Sequence, residues 1–213
     1  IQRENHLKVV QNAIDEIANG TFKKVVISRN EVIKLNDFNL VEVYQKLLQN
    51  YPTAFVYIWF HPKVGLWLGA TPETLLKIEN LDFETMSLAG TQTANNLDNV
   101  VWQQKELIEQ GLVTDFIQNQ LKNLAWNLKI SPIETIKAGN LFHLRTKVSG
   151  KLNTENSVLK DLIEALHPTP AVCGLPRNES KKYILENENY DREFYTGFLG
   201  ELNLKKTNSD VKK

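Results

Sequence analysis

Two adjacent lysines at the start of an apolar segment are the first residues in this chain whose types and placement suggest chemistry. Residues 22–29 read FKKVVISR and alternate as a β-strand does, so Lys23 and Lys24 should point to opposite faces. One of them must then lean toward the face that the sheet buries. A lysine removed from water loses proton affinity and can act as a base near neutral pH. The alternative is that both are solvated residues on a strand edge.

Three glutamates offer carboxylates in defined positions. Glu73 follows Pro72, whose ring fixes the backbone; if partly removed from water, its carboxyl group can hold a proton and act as a general acid. Glu106 and Glu109 lie three residues apart on a predicted helix and therefore on one face, where two hard oxygen ligands suit Mg²⁺. Local sequence alone favours the simpler interpretations, a turn glutamate and a solvated helix face.

A histidine, an irregular loop and a cysteine complete the candidates. His143 stands in an apolar strand pattern, where a hydrogen-bonded core histidine is more common than a catalyst. Residues 167–176 contain three prolines and a glycine, so they form no regular element, and such a loop usually shapes a site. Cys173 has no nearby base in the sequence, and we interpret it as an inert packing residue.

Composition narrows the class of protein. In 213 residues, 25 basic side chains balance 25 acidic ones, which argues against nucleic acid or a membrane surface as partner. A single cysteine allows no internal disulfide, and the longest apolar run, residues 55–60, is too short to cross a bilayer. Residues 5–19 read as an amphipathic helix and not as a signal peptide. We expect a cytoplasmic protein, monomeric or weakly homo-oligomeric, with a small-molecule partner.

Hydrophobic periodicity predicts an α+β fold of antiparallel sheets flanked by helices. The predicted helices are 5–19 with Gly20 as its stop, one along Leu40, Val43, Tyr44 and Leu47, 100–124, 157–166 and 179–186. The predicted strands are 22–35, 54–61 (covered on both faces), 66–69, 74–78, 83–88, a block at 128–152, and 194–202. The long helix should bury a stripe of Val101, Ile108, Leu112, Phe116 and Leu121. Residues 90–96 read as a polar loop. We expect one catalytic domain over residues 1–203 and a polar tail at 204–213.

Seven segments occur in an order that resembles the chorismate-utilising enzymes, and among them the isochorismate synthases. They are KVVISR (24–29), GATPE (69–73), LAGT (88–91), KELIEQGLV (105–113), FHL (142–144), LHPTPAVCGLP (166–176) and REFYTG (192–197). The resemblance covers nearly the whole chain, from Asn5 to Glu201. It implies the aminodeoxychorismate-synthase-like fold of that family.

Lys24 and Ala89 separate the subfamilies. Anthranilate synthases resemble this pattern but carry glutamine at the position of Lys24, and aminodeoxychorismate synthases carry a nucleophilic lysine at that of Ala89. The combination here implies water as the nucleophile. Salicylate synthases share both features and go on to eliminate pyruvate, so they stay an alternative, as does a chorismate-binding module without turnover.

The resemblance also implies roles. Lys24 would deprotonate the water that attacks C2 of chorismate, Glu73 would protonate the C4 hydroxyl as it leaves, and Glu106 and Glu109 would hold Mg²⁺ against the ring carboxylate. The positions that match the substrate pocket of the family are Gly90, Thr91, His143, Thr169, Tyr195 and Gly197. Whether isochorismate would serve menaquinone or siderophore synthesis stays open.

Family members are longer at both ends. Beyond the position of Glu201, the resemblance implies a strand with a substrate-binding arginine and a helix with further metal-binding glutamates. We therefore expect a fold that is incomplete at both ends, with an open sheet edge prone to association and, for this chain alone, no activity.

Overall fold

The computed structural model describes residues 2–93, 97–153 and 159–204. The helices are α1 Gln2–Ala18, α2 Leu40–Asn50, α3 Gln104–Leu121, α4 Leu159–Leu166 and α5 Arg177–Asn187. The strands are β1 Lys24–Val25, β2 Phe55–His61, β3 Gly65–Thr71, β4 Lys77–Glu79, β5 Asp82–Thr93, β6 Ala125–Ile130, β7 Glu134–Ala138, β8 Leu141–Leu152 and β9 Gly174–Leu175. The predicted α+β class is confirmed.

The central sheet is antiparallel throughout, as the short predicted connections indicated. Its strand order is β4-β5-β8-β6, and β7 pairs with the first part of β8 while β6 pairs with the last part. The long β5–β8 ladder runs from Asp82↔Lys151 to Thr93↔Leu141 and is interrupted by a bulge between Ala89 and Thr91. Two smaller antiparallel pairs, β2–β3 and β1–β9, complete the strands of the described chain.

Helix α3 packs on β5 and β8 and forms the core with α4. Val113, Ile117 and Leu121 are fully buried there, against Val148 and Leu162. The predicted stripe is wrong in part: Val101 precedes the helix and Ile108 is 54% exposed. The helix begins only at Gln104, with a capping box between Gln103 and Glu106, and its buried face runs through polar residues that a hydrophobic stripe leaves out.

Helix α1 ends, and helix α2 begins, at the residues that the sequence indicated. Gly20 takes a φ of 82°, and backbone bonds from Gly20 and Thr21 to the last turn close α1. The side chain of Asn39 accepts a hydrogen bond from the backbone of Glu42 (3.1 Å) and caps α2.

The predicted strand over residues 22–35 is wrong for most of its length. Only Lys24–Val25 is paired, because the irregular segment before α5 offers a short partner in β9. Past Ser28 the alternating pattern finds no ladder in the described chain, and Val32 is 78% exposed. Alternation shows which side chains share a face, but it cannot supply the neighbouring strand.

The predicted strand over residues 194–202 is absent as well. Successive turns replace it: the Tyr195 backbone N–H bonds Arg192 O (2.7 Å), and the Gly197 N–H bonds Phe194 O (3.0 Å). The ring of Phe194 packs edge-on against the stacked indoles of Trp59 and Trp67 on the β2–β3 hairpin. This contact fastens the segment to the hairpin without a β ladder.

Two further predictions need adjustment. Strand β2 is not covered on both faces within the described chain, since Phe60 is 67% exposed. The predicted loop 90–96 is strand as far as Thr93, and residues 94–96 lie outside the described ranges. Residues 157–158 and the tail from 205 onward lie outside them too.

No described helix has the length and hydropathy needed to cross a membrane.

Candidate active site

Lys24 is the buried member of the lysine pair. Its side chain is 11% exposed, whereas Lys23 is an exposed residue. Its Nζ lies 2.8 Å from Glu109 Oε1. The contact is an ion pair without hydrogen-bond alignment, so within the described chain the buried Nζ has no hydrogen-bond partner. An amine enclosed in this way keeps its hydrogen-bonding capacity for another group.

Glu73 belongs to the same site. It follows β3, where its backbone N–H donates to Thr71 Oγ1 at 3.4 Å. Burial raises the pKa of the Glu73 carboxyl to about 7, while the positive charge of Lys24 acts in the opposite direction. A carboxyl group with this pKa is partly protonated at neutral pH and can donate its proton.

The two α3 carboxylates lie on one face, as predicted, but have different partners. Glu106 Oε2 accepts the backbone N–H of Gln103 (2.9 Å), and its Oε1 lies 3.3 Å from Lys105 Nζ. Glu109 faces Lys24. Among the described residues no three His, Cys, Asp or Glu side chains are grouped as metal ligands. A pair of carboxylates nevertheless fits Mg²⁺, which usually completes its shell with waters and substrate oxygens.

Gly90, Thr91 and His143 converge beside Glu106. Gly90 occupies the β5 bulge with a φ of 70°, and a Cβ there would lie 3.3 Å from the Cβ of Glu106. His143 Nδ1 lies 3.1 Å from Thr91 Oγ1 and 3.2 Å from Gly90 O. The bulge therefore brings the strand backbone against the first turn of α3, where Glu106 is.

The remaining predicted pocket residues lie in the segments after α4 and α5. Thr169 is buried, and its carbonyl accepts the backbone N–H of Cys173 (3.0 Å) next to β9. Tyr195 and Gly197 line a cavity of about 730 Å³ together with His167. The lining of that cavity does not include Lys24, Glu73 or Glu106.

Gln110 is a residue that sequence reasoning missed. It is fully buried, and its Nε2 donates to Ser87 Oγ (2.7 Å), Ser87 O (3.1 Å) and Thr146 Oγ1 (3.2 Å). These bonds fix α3 to β5 and β8 close to Glu106 and Glu109. Hydrophobic periodicity assigns a glutamine to the exposed face of a helix. The only sequence signal for the role of Gln110 was its position between two residues on the face of α3 that points to the core.

Glu188 and Arg192 were also missed. Both side chains are largely buried, and Arg192 Nε donates to Glu188 Oε2 at 2.6 Å. Burial tends to raise the pKa of Glu188, but the hydrogen bonds from Arg192 and Ser28 outweigh it and hold that pKa below its usual value. The sequence offered two signals: Arg192 opens the segment 192–197, and it lies four residues from the opposite charge of Glu188, a spacing that is common on solvated helices.

Comparison with known proteins assigns this chain to a family. Residues 1–210 match the family described as chorismate binding enzyme. The chain is 29% identical over 215 residues to isochorismate synthase DhbC of Bacillus subtilis, an alignment that covers 92% of the chain and 54% of that relative. It is 30% identical over 200 residues to the salicylate biosynthesis isochorismate synthase of Pseudomonas aeruginosa, with 90% and 42% covered.

A solved structure agrees with the fold. The protein assigned as the 2,3-dihydroxybenzoate-specific isochorismate synthase DhbC of Bacillus anthracis superposes with a TM-score of 0.78 at 26% identity. The superposition covers 89% of this chain and 54% of that one. The chain thus spans about half the length of the Bacillus subtilis relative and 35% of a plant relative.

Proposed function

Because this chain belongs to the family of chorismate binding enzymes, we propose that the complete gene product containing it catalyses the Mg²⁺-dependent isomerisation of chorismate to isochorismate. The observation that carries the proposal is that Lys24 and Glu73 belong to one site: the charge of Lys24 acts on the Glu73 carboxyl group, whose pKa is about 7. An acid and a nitrogen base in one site match a reaction that adds one hydroxyl group and removes another.

In the proposed reaction Lys24 takes a proton from water as the water oxygen forms a bond to C2 of the ring. The ring double bonds shift, and the bond from C4 to its hydroxyl group breaks. Glu73 gives its proton to that oxygen, which leaves as water. One water is added and one is lost, so substrate and product are isomers. The partly protonated state of Glu73 at neutral pH supports its role as the acid.

Glu106 and Glu109 are the residues that would hold Mg²⁺. When bound, the ion would neutralise the ring carboxylate of chorismate and help to orient the ring. Both glutamates have cationic neighbours, Lys105 and Lys24, at 3.3 Å and 2.8 Å. These contacts indicate that the site is built around negative charge on α3.

The predicted substrate contacts remain part of the proposal. Gly90, Thr91 and His143 lie beside Glu106, the position expected for groups that contact the ring carboxylate region. The carbonyl of Thr169 accepts the backbone N–H of Cys173, the residue before β9, and β9 pairs with β1. Tyr195 and Gly197 line a cavity that also includes Cys173. We propose that these six residues line the chorismate pocket.

Product analysis tests the proposal. The complete gene product that contains this 213-residue sequence is incubated with chorismate, with and without Mg²⁺, and isochorismate, salicylate and pyruvate are separated by chromatography. We expect isochorismate alone, formed only with Mg²⁺. Release of pyruvate would assign the salicylate synthase reaction instead, and saturable chorismate binding without any product would assign a binding module; either result contradicts the proposal.

A further inference from the structure

Strand β1 carries Lys24 but is too short to fix its own position. It consists of two residues, paired with the equally short β9. Backbone bonds outside the ladder add only the Lys23 N–H to Leu175 O (2.7 Å) and the Val26 N–H to Cys173 O (2.8 Å). A pair of strands this small is not stable by itself, so other groups must hold it.

Three side chains from the segment 180–192 hold alternate residues of the segment 24–28, which begins with β1 and which we call the Lys24 strand. Ser180 Oγ donates to Lys24 O (3.0 Å), and Arg192 Nη2 donates to Val26 O (2.8 Å). Glu188 Oε1 accepts the backbone N–H of Ser28 (2.7 Å) and lies 3.0 Å from its hydroxyl group. We call Ser180, Glu188 and Arg192 the β1 clamp.

Arg192 is the centre of this clamp. Besides Val26 O, its guanidinium donates to Val172 O (3.1 Å) and to both oxygens of Glu188. One planar group thus connects the Lys24 strand, the irregular loop before β9 and the end of α5. The forked geometry needs several donors in one plane, which arginine has and lysine lacks.

The clamp contains the partners that a buried carboxylate needs. The Glu188 side chain is 2% exposed, and a carboxylate removed from water to that extent requires a paired cation and hydrogen bonds. Arg192 supplies the cation, and Ser28 supplies hydrogen bonds from its backbone and side chain. Tyr190 extends the network through its hydroxyl group, 2.6 Å from Ser28 Oγ.

We propose that Arg192 is a positioning residue for Lys24, acting through the backbone of Val26. The site depends on two supports: Gln110 fixes α3 and hence Glu109, while the clamp fixes β1 and hence Lys24. A displacement of a reacting group by a fraction of an ångström lowers the rate even when all reacting groups remain. The inference rests on the proposed role of Lys24 as the base.

Arg177 offers a matched control. It is also an arginine beside the loop, and its Nη1 donates to Glu164 O (3.0 Å) and Ala165 O (2.9 Å). These bonds cap the end of α4 and do not touch the Lys24 strand. If arginines near the loop mattered only for folding, Arg177 and Arg192 variants should behave alike.

The first test measures Lys24 itself. Acetylation of Lys24 and Lys23 is followed by mass spectrometry in the wild-type chain, Arg192→Ala and Arg177→Ala. We expect Arg192→Ala to raise the Lys24 rate about tenfold and to change the Lys23 rate by less than about twofold, since only the clamped strand opens. Added guanidinium should restore protection, and Arg177→Ala should leave Lys24 protected. An unchanged Lys24 rate, or an equal rise at both lysines, would overturn the proposal.

The second test separates positioning from stability. Arg192→Lys keeps a cation beside Glu188 but loses the fork, so we expect kcat for isochorismate formation to fall about tenfold with KM for chorismate nearly unchanged. A lower Tm with kcat per folded molecule unchanged would show a purely structural role. If Lys24→Gln keeps full activity, the proposed role of Lys24 as the base fails, while the acetylation result still decides whether the clamp holds Lys24.

Discussion

Lys24 of β1 and Glu109 of α3 form an ion pair of 2.8 Å between two parts of the fold that share no strand ladder. The lysine comes from a two-stranded pair beside the irregular loop, and the glutamate from the helix that covers the central sheet. Their contact joins the two, with the carboxyl group of Glu73 close enough to respond to the lysine charge. The proposed chemistry takes place at this junction.

Glu73 should make stability depend on pH. Its folded pKa of about 7 lies above the ordinary 4.5, so the folded state keeps a proton that the unfolded chain releases, and stability falls as pH rises between these values. Glu73→Gln removes this cost. Relative to wild type, its free energy of unfolding should gain about 3 kcal/mol between pH 4 and pH 8. Urea unfolding at both pH values measures the difference.

An exposed carboxyl group provides the control for that measurement. Glu193→Gln should shift the urea midpoint little at either pH, because Glu193 is exposed. A Glu73→Gln effect of the same size at pH 4 and pH 8 would contradict the assigned pKa.

Gly174 should tolerate no side chain. It has a φ of 153°, and a Cβ there would overlap Lys24 O and the side chain of Ser180. Gly174→Ala should therefore destabilise the fold by roughly 2–4 kcal/mol, because the obstacle includes the backbone of β1. The shift in Tm or urea midpoint gives the value, and a neutral Gly174→Ala would show that β1 and β9 are not held this closely.

At Gly111, substitution by alanine should change the stability of the fold in the opposite direction. It lies inside α3, and a Cβ built there meets nothing within 4 Å. Gly111→Ala should stabilise the protein by roughly 0.5–1 kcal/mol, because alanine loses less backbone freedom in a helix. The same unfolding measurement tests both glycines, so a destabilising Gly111→Ala would count against the packing described for α3.

Cys173 should be chemically inert in the folded protein. The thiol is buried, and burial raises its pKa, so little thiolate is exposed to reagents. We expect iodoacetamide to modify Cys173 slowly in the native chain and rapidly in denaturant. Equal rates in the two conditions would contradict both the burial and the interpretation of this residue as packing.

Much of the architecture could be predicted because its signals are local. Asn39 caps α2 through its own side chain, and Gly20 ends α1 through its positive φ. Both depend on a few neighbouring residues. The central antiparallel sheet followed from short connections between alternating segments.

The failures share a different cause. Val32 and Ile33 belong to the segment predicted as a strand, yet no described strand pairs with them. Pairing depends on a partner that is remote in the sequence. Gln110 is buried because Ser87 and Thr146 satisfy its amide nitrogen, which periodicity along α3 cannot reveal.

The candidate site also contains residues that the sequence could predict and residues that it could not. The resemblance selected Lys24, Glu73 and Glu109, and the structure brings these three together. It gave no reason to single out Glu188, whose partner Ser28 lies 160 residues earlier in the chain. The residues proposed to act on substrate could be selected by motif, whereas the supporting contact of Glu188 with Ser28 depends on the folded arrangement.

The most direct test of the central claim compares two adjacent lysines. Isochorismate formation from chorismate is measured for Lys24→Gln and for Lys23→Gln, its exposed neighbour on the same segment. A general base contributes about 100-fold or more, so we predict that kcat falls by at least that factor in Lys24→Gln and by less than about twofold in Lys23→Gln. A Lys24→Gln variant that forms isochorismate at the wild-type rate would contradict the assignment of Lys24 as the base.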